Sequence, residues 1–149
     1  AKLLEQIDAL LAASPGTEWT ATTSRRTPAE TTASLIKENC EQFKLVPCED
    51  TDADWLPVQL SSAACAWVTE DSVSMIYEAL SSGAKVGLLP VPRKKQTSRV
   101  LKGVDQLKSE KAILPFNPND CDLANFLARP KLNEAERVAK IVAERLLSV

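Results

Sequence analysis

The sequence contains no histidine. That absence excludes Ser-His and Cys-His nucleophilic pairs and every histidine-containing metal site. The four cysteines, Cys40, Cys48, Cys65 and Cys121, show no C-x-x-C spacing, so the common zinc frames are absent and no metal is expected. Glycine is equally scarce. Only four occur, and none builds a G-x-G-x-x-G, Walker A or G-x-S-x-G pattern. Residues 1–149 therefore encode no glycine-rich phosphate cradle. Aromatic residues make up 5% of the chain, which leaves the core to Leu, Val, Ile and Ala. Neither a signal-peptide pattern nor an apolar run of spanning length is present, so a reduced, cytoplasmic chain with no membrane span is expected. Cys65, within an apolar run, reads as a small core residue.

At 149 residues with 44% apolar side chains, one Rossmann-like domain spanning 1–149 is the default. The net charge of −2 argues against a generic nucleic-acid binder. The charge is unevenly placed. Glu49, Asp50, Asp52, Asp54, Glu70 and Asp71 follow one another with no intervening base. Arg93, Lys94, Lys95, Arg99, Lys102, Lys108 and Lys111 face only Asp105 and Glu110. Solvated faces account for both blocks; the basic one also suits a rim that attracts an anion.

Residues 65–92 read as one βαβ unit: an apolar strand, the polar turn Thr69-Glu70-Asp71-Ser72, an amphipathic helix stopping at Gly83, and a strand from Val86 to Leu89. So short a connection implies parallel pairing. The rest of the chain repeats the alternation. Leu3, Leu4, Ile7, Leu10 and Leu11 share a helical stripe that Pro15-Gly16 ends. A strand is expected over 18–23. A helix follows over 27–40, with Thr27 as N-cap, Pro28 at its first position, Glu30 closing a capping box, and Ala33, Leu35 and Ile36 apolar. Further expectations are a strand at 43–46, an acidic loop at 48–54, a helix at 55–63, a helix carrying Val100, Val104 and Leu107, a strand at 111–114, and helices near 120–128 and from Asn133. The pattern calls for a mainly parallel sheet with helices on both faces. The first helix has no strand before it, so the chain is expected to be a C-terminal fragment whose first strand and upstream domain lie outside it.

In such folds ligands sit beyond the carboxyl ends of the strands. Ser24, Arg25 and Arg26 lie between a strand end and a helix start, where free N–H groups and guanidinium forks suit a phosphate. A plain capping box with two solvated arginines is the alternative. Thr69, Asp71 and Ser72 repeat the arrangement. There the acids oppose phosphate and suit a sugar hydroxyl or base edge, or else Asp71 or Ser72 caps the helix. Glu78 falls off the face formed by Val73, Ile76, Tyr77 and Leu80, as either a surface glutamate or an acceptor for a ribose diol. Arg93-Lys94-Lys95 form either a diphosphate clamp or a solvated loop.

Thr22-Thr23-Ser24-Arg25-Arg26-Thr27-Pro28 and Val68-Thr69-Glu70-Asp71-Ser72-Val73-Ser74-Met75, with Glu78-Ala79 and Gly83, resemble the signature stretches of the mitochondrial-fission elongated-mitochondria family. Bacterial members of that family carry the label of predicted nucleoside-diphosphate-sugar epimerases. The tail from Leu132-Asn133-Glu134 to Arg145-Leu146 is similar too. More distantly, the order Ser72, Glu78, Gly83, Pro90 resembles the donor half of GT-B glycosyltransferases. That resemblance implies Glu78 on the ribose, Ser72 and the helix start on the diphosphate, and Arg25 and Arg26 adding charge. Ala84 stands where a proline often follows the glycine. Epimerase chemistry through a Tyr-x-x-x-Lys pair is not encoded, because Ser81 follows Tyr77 at that spacing. The resemblance thus implies the nucleotide-sugar-binding, C-terminal half of a GT-B-type protein. It would bind a nucleoside-diphosphate-sugar, need the N-terminal half of the same protein as partner, require no firmly implied cofactor, and have no turnover alone. An interaction domain that keeps the shape without the ligand is the alternative.

Overall fold

The computed structural model describes residues 2–92 and 99–120. The Arg93-Lys94-Lys95 loop, Cys121 and the two helices expected after residue 120 lie outside the described residues.

Apolar strands alternate with amphipathic helices, as the sequence pattern requires. The order is α1 (Lys2–Ala13), β1 (Trp19–Thr22), α2 (Ala29–Lys37), β2 (Phe43–Val46), α3 (Trp55–Ser62), β3 (Cys65–Thr69), α4 (Val73–Ser82), β4 (Lys85–Leu89), α5 (Arg99–Ser109) and β5 (Leu114–Pro115). A 3-10 turn, Cys48–Asp50, interrupts the acidic loop. Every pairing is parallel. The ladders form two sheets, β1-β2 and β3-β4-β5. The α/β, Rossmann-like class expected from the alternation is the class observed.

Each sheet is covered by the helices that connect its strands. Val68, Val86 and Leu88 pack on Leu60 of α3, Ile76 and Ala79 of α4, and Val104 and Leu107 of α5. The opposite face of that sheet carries Leu89 and Trp67 against Leu3 and Leu10 of α1, with Trp19 and Phe116 alongside. Leu4, Ile7 and Leu11 turn the other way, onto Phe43 and Leu45 of β2 and Leu35 of α2. The single stripe expected on α1 is thus divided between two cores, and α1 ties the sheets together.

Helix ends depart from expectation where side chains find other partners. Gly83 stops α4 in the left-handed region, φ 89°, as its lack of Cβ allows. At the end of α5 the same position falls to Lys111, φ 54°. The Ala112 N–H bonds to the Leu107 carbonyl at 2.8 Å and the Lys111 N–H to that of Lys108 at 3.0 Å, the paired bonds of a Schellman ending. The strand expected at 111–114 therefore begins only at Leu114, because residues 111 and 112 are spent in closing the helix. Ala33 and Ile36 are also displaced from the expected core; of α2's apolar residues only Leu35 is buried.

Candidate functional site

Two turns leave the carboxyl ends of parallel strands and open helices: 24–27 after β1 and 69–72 after β3. They are built alike. In the first, the Thr27 N–H donates to the Ser24 carbonyl at 2.9 Å. The hydroxyls of Ser24 and Thr27 meet at 3.3 Å. In the second, the Ser72 N–H donates to the Thr69 carbonyl at 2.9 Å, and the Thr69 hydroxyl donates to that of Ser72 at 3.2 Å.

These bonds overturn the expected caps. Thr27 Oγ1 accepts the Ser24 N–H at 2.9 Å rather than an N–H of the helix. Helix α2 starts at Ala29 with Pro28 in the cap position and no side-chain cap bond, so the Thr27–Glu30 capping box does not form. Ser72 does occupy the cap position of α4, yet its side chain makes no cap bond, and neither it nor Asp71 caps the helix. The turn closes first because its partners are three residues apart, and the hydroxyls are used there. Both helices consequently begin with first-turn N–H groups that no side chain has claimed.

The first turn forms one wall of a cleft of about 500 Å³. Thr23, Ser24, Arg25 and Thr27 line it, with Ala33 and Ile36 of α2 and Cys48 and Glu49 of the 3-10 turn opposite. Buried Thr23 fixes the geometry: its Oγ1 accepts the Cys48 N–H at 3.1 Å, joining the ends of β1 and β2. Ile36 is 46% exposed because it faces this cleft rather than the core. Arg25 and Arg26 are exposed, and among the described residues neither has an ion-pair partner. Glu49 is held below the ordinary carboxylate range by a hydrogen bond from its own backbone N–H and by the Cys48 thiol at 3.2 Å. The cleft thus offers one guanidinium, one carboxylate, hydroxyls and an apolar wall.

Of the candidate residues, Ser24 and Arg25 share this cleft. Arg26 stands beside it with its N–H donated to Ser24 Oγ at 3.2 Å. Thr69, Asp71, Ser72 and Glu78 form a second group at β3 and α4, outside the cleft lining. Glu78 is exposed on α4, on the side away from buried Ile76 and Ala79. Glu70 has a different use from its neighbours. It is buried, and its carboxylate accepts from Lys108 Nζ of α5 at 2.5 Å, so it anchors the turn instead of facing a ligand. No local signal marks that pair, whose members are far apart in sequence.

Among the described residues no group of three or more His, Cys, Asp or Glu converges to hold a metal, and no helix is long and apolar enough to cross a membrane. No curated protein and no solved structure matches the chain. A family model described as mitochondrial fission ELM1 matches residues 1–146, including both turns and α4 between its ends. With nearly its whole length matched, the chain belongs to the mitochondrial fission ELM1 family.

Proposed function

We propose that the two turns contribute to recognition of a nucleoside-diphosphate-sugar, within a protein of which residues 1–149 supply the C-terminal half. One observation carries the reading. At the carboxyl ends of β1 and β3, two equivalent hydroxyl-closed turns each open a helix whose N-terminus no side chain caps. Anions bind such N-termini, and in parallel α/β folds ligands lie on this side of the sheet. Arg25 and Arg26 supply positive charge to the diphosphate at the first turn. Thr69, Asp71 and Ser72 suit sugar or base at the second, and Glu78 accepts from the ribose hydroxyls. No metal or cofactor enters the reading. Without the other half to bring an acceptor, residues 1–149 alone are expected to show no turnover.

A second reading, an interaction domain that retains the shape without the ligand, is favoured by the half-exposed Ile36 in the cleft wall. It also suits a family whose description names a cellular process rather than a ligand. Calorimetry separates the two. The full-length protein is titrated with UDP-, ADP- and GDP-sugars. Binding that weakens about tenfold or more in Arg25→Ala and in Glu78→Ala, each losing a charge-assisted hydrogen bond, supports nucleotide-sugar recognition. No heat with any of the ligands, or both variants binding as tightly as the wild type, rejects it.

A further inference from the structure

Resting on the nucleoside-diphosphate-sugar reading above, we infer that the pocket beyond the carboxyl ends of β4 and β5 holds the sugar ring of that ligand, and that the ring is an uncharged hexose. This second cavity, of about 560 Å³, is lined by none of the residues assigned to the ligand so far. Its size falls within the range of small-molecule sites, roughly 300–1,000 Å³.

Three segments build the pocket. Strand β4 runs out into Pro90 and Pro92, β5 runs out into Phe116 and Pro118, and the first turns of α1 bring Lys2, Glu5 and Gln6 to the same place. Phe116 is held from two directions. Its N–H donates to the Leu88 carbonyl at 3.0 Å. Its ring stands edge-on to Trp67 of β3, with centroids 6.0 Å apart and planes at 78°. The apolar wall is therefore in place before a ligand arrives, which lowers the ordering cost of binding. The pocket also borders the turn at 69–72. The Glu70 N–H donates to the Leu89 carbonyl at 3.1 Å, and the next residue, Pro90, is already in the pocket wall. Neighbouring strands lie about 4.8 Å apart, so one sugar ring bridges from the turn at the end of β3 to the pocket at the end of β4. Of the two uses open to that turn, sugar or base, the pocket favours sugar.

The lining disfavours the charged part of the ligand. Anions are cradled by main-chain N–H groups. Pro90, Pro92 and Pro118 have none, and that of Phe116 is spent on Leu88. Lys2 and Glu5 bring one charge of each sign. What remains suits a hydroxylated, uncharged ring. The C–H groups of a pyranose lie against the negative face of an aromatic ring and the flat sides of prolines. Its hydroxyls need donors and acceptors, and α1 presents an ammonium, a carboxylate and an amide together. Gln6 is the most telling of the three. Its side-chain Nε2 donates to the Lys2 and Pro90 carbonyls, both at 3.1 Å, which fixes the orientation of the amide. The residue is only 7% exposed, and its Oε1 is left buried with no hydrogen-bond partner. A buried acceptor in that state is costly, and a sugar hydroxyl entering the pocket supplies the missing donor.

Calorimetry on the full-length protein tests this, with UDP, ADP and GDP each titrated beside their glucose and galactose conjugates. Phe116→Ala removes the apolar wall, and Glu5→Ala removes an exposed carboxylate whose loss leaves the core intact. Each variant is expected to weaken binding of the conjugate about fivefold or more while leaving the parent diphosphate within about twofold of the wild type. The glucuronate conjugate of the same base should bind at least about fivefold more weakly than the glucose conjugate. Variants that bind the conjugates as tightly as the wild type overturn the inference and leave nucleotide binding standing. Equal weakening of diphosphate and conjugate assigns the pocket to the base or phosphate and also overturns it. Glucuronate binding as tight as glucose overturns the uncharged ring. No heat from diphosphate or conjugate with the wild type rejects the nucleotide-sugar reading itself, and the inference falls with it. Should Phe116→Ala fail to fold, Glu5→Ala decides alone.

Discussion

Residue 87 has no side chain because Trp67 occupies the space. The two are register partners on β3 and β4, and a Cβ on Gly87 would stand 2.4–2.6 Å from three carbons of the indole ring, a steric clash. Gly87→Ala should therefore cost about 1–3 kcal/mol, read as a lowered Tm, and Trp67→Phe should recover part of it. The glycine is plain in the sequence, but its reason is not, since the ring that needs the room arrives from another strand. Glu70 teaches the same lesson. It stood among acids suited to a ligand, yet Lys108 holds it in the interior. Glu70→Gln, which strands a partly buried ammonium, is expected to destabilise by about 1–3 kcal/mol in chemical denaturation. Cys65 was expected as a small core residue and is half-buried; burial pushes its thiol up, against the opposing charge of Lys85. Its folded pKa exceeds the unfolded one, so its contribution to stability is full below the unfolded value, about 8.5, and is lost as pH rises through the folded pKa. Alkylation at neutral pH should accordingly be slower at Cys65 than at exposed Cys40, as peptide mass mapping would report.

The elements follow the alternation of apolar periodicity closely, because each period is a local property of the chain. Their ends follow competition between partners. Thr27 and Ser72 have the right chemistry to cap, and each sits where a four-residue turn claims its hydroxyl. Lys111 has the wrong chemistry for a left-handed residue, and the Schellman bonds place it there regardless. Lys111→Gly should remove that strain and stabilise the chain by about 0.5–1 kcal/mol in thermal unfolding. The mirror experiment at the end of α4 has the opposite sign. Gly83→Ala at φ 89° should destabilise by about 1 kcal/mol. Together the pair checks that both helices stop by backbone geometry rather than by loss of apolar pattern.

At the scale of the whole molecule, the described strands form two parallel sheets, β1-β2 and β3-β4-β5, and both pack on α1. In open α/β sheets ligands lie beyond the carboxyl ends of the strands, the side on which the turns at 24–27 and 69–72 stand. If the cleft at the first turn holds an anion, Arg25→Glu should abolish nucleotide-sugar binding without lowering Tm, because Arg25 is exposed and has no ion-pair partner among the described residues. Calorimetry beside a thermal melt reads both quantities. The sequence by itself determined the order of helices and strands, the parallel class, the Gly83 stop, the place of Glu78 off the core face and the family. Each of these depends on residues close together or on a motif read in line. Tertiary structure alone decided that Glu70 belongs to Lys108, that Ile36 faces a cleft, and that Gly87 yields to Trp67. Those outcomes are settled by groups tens of residues apart competing for the same space and the same hydrogen bonds, which no local pattern encodes.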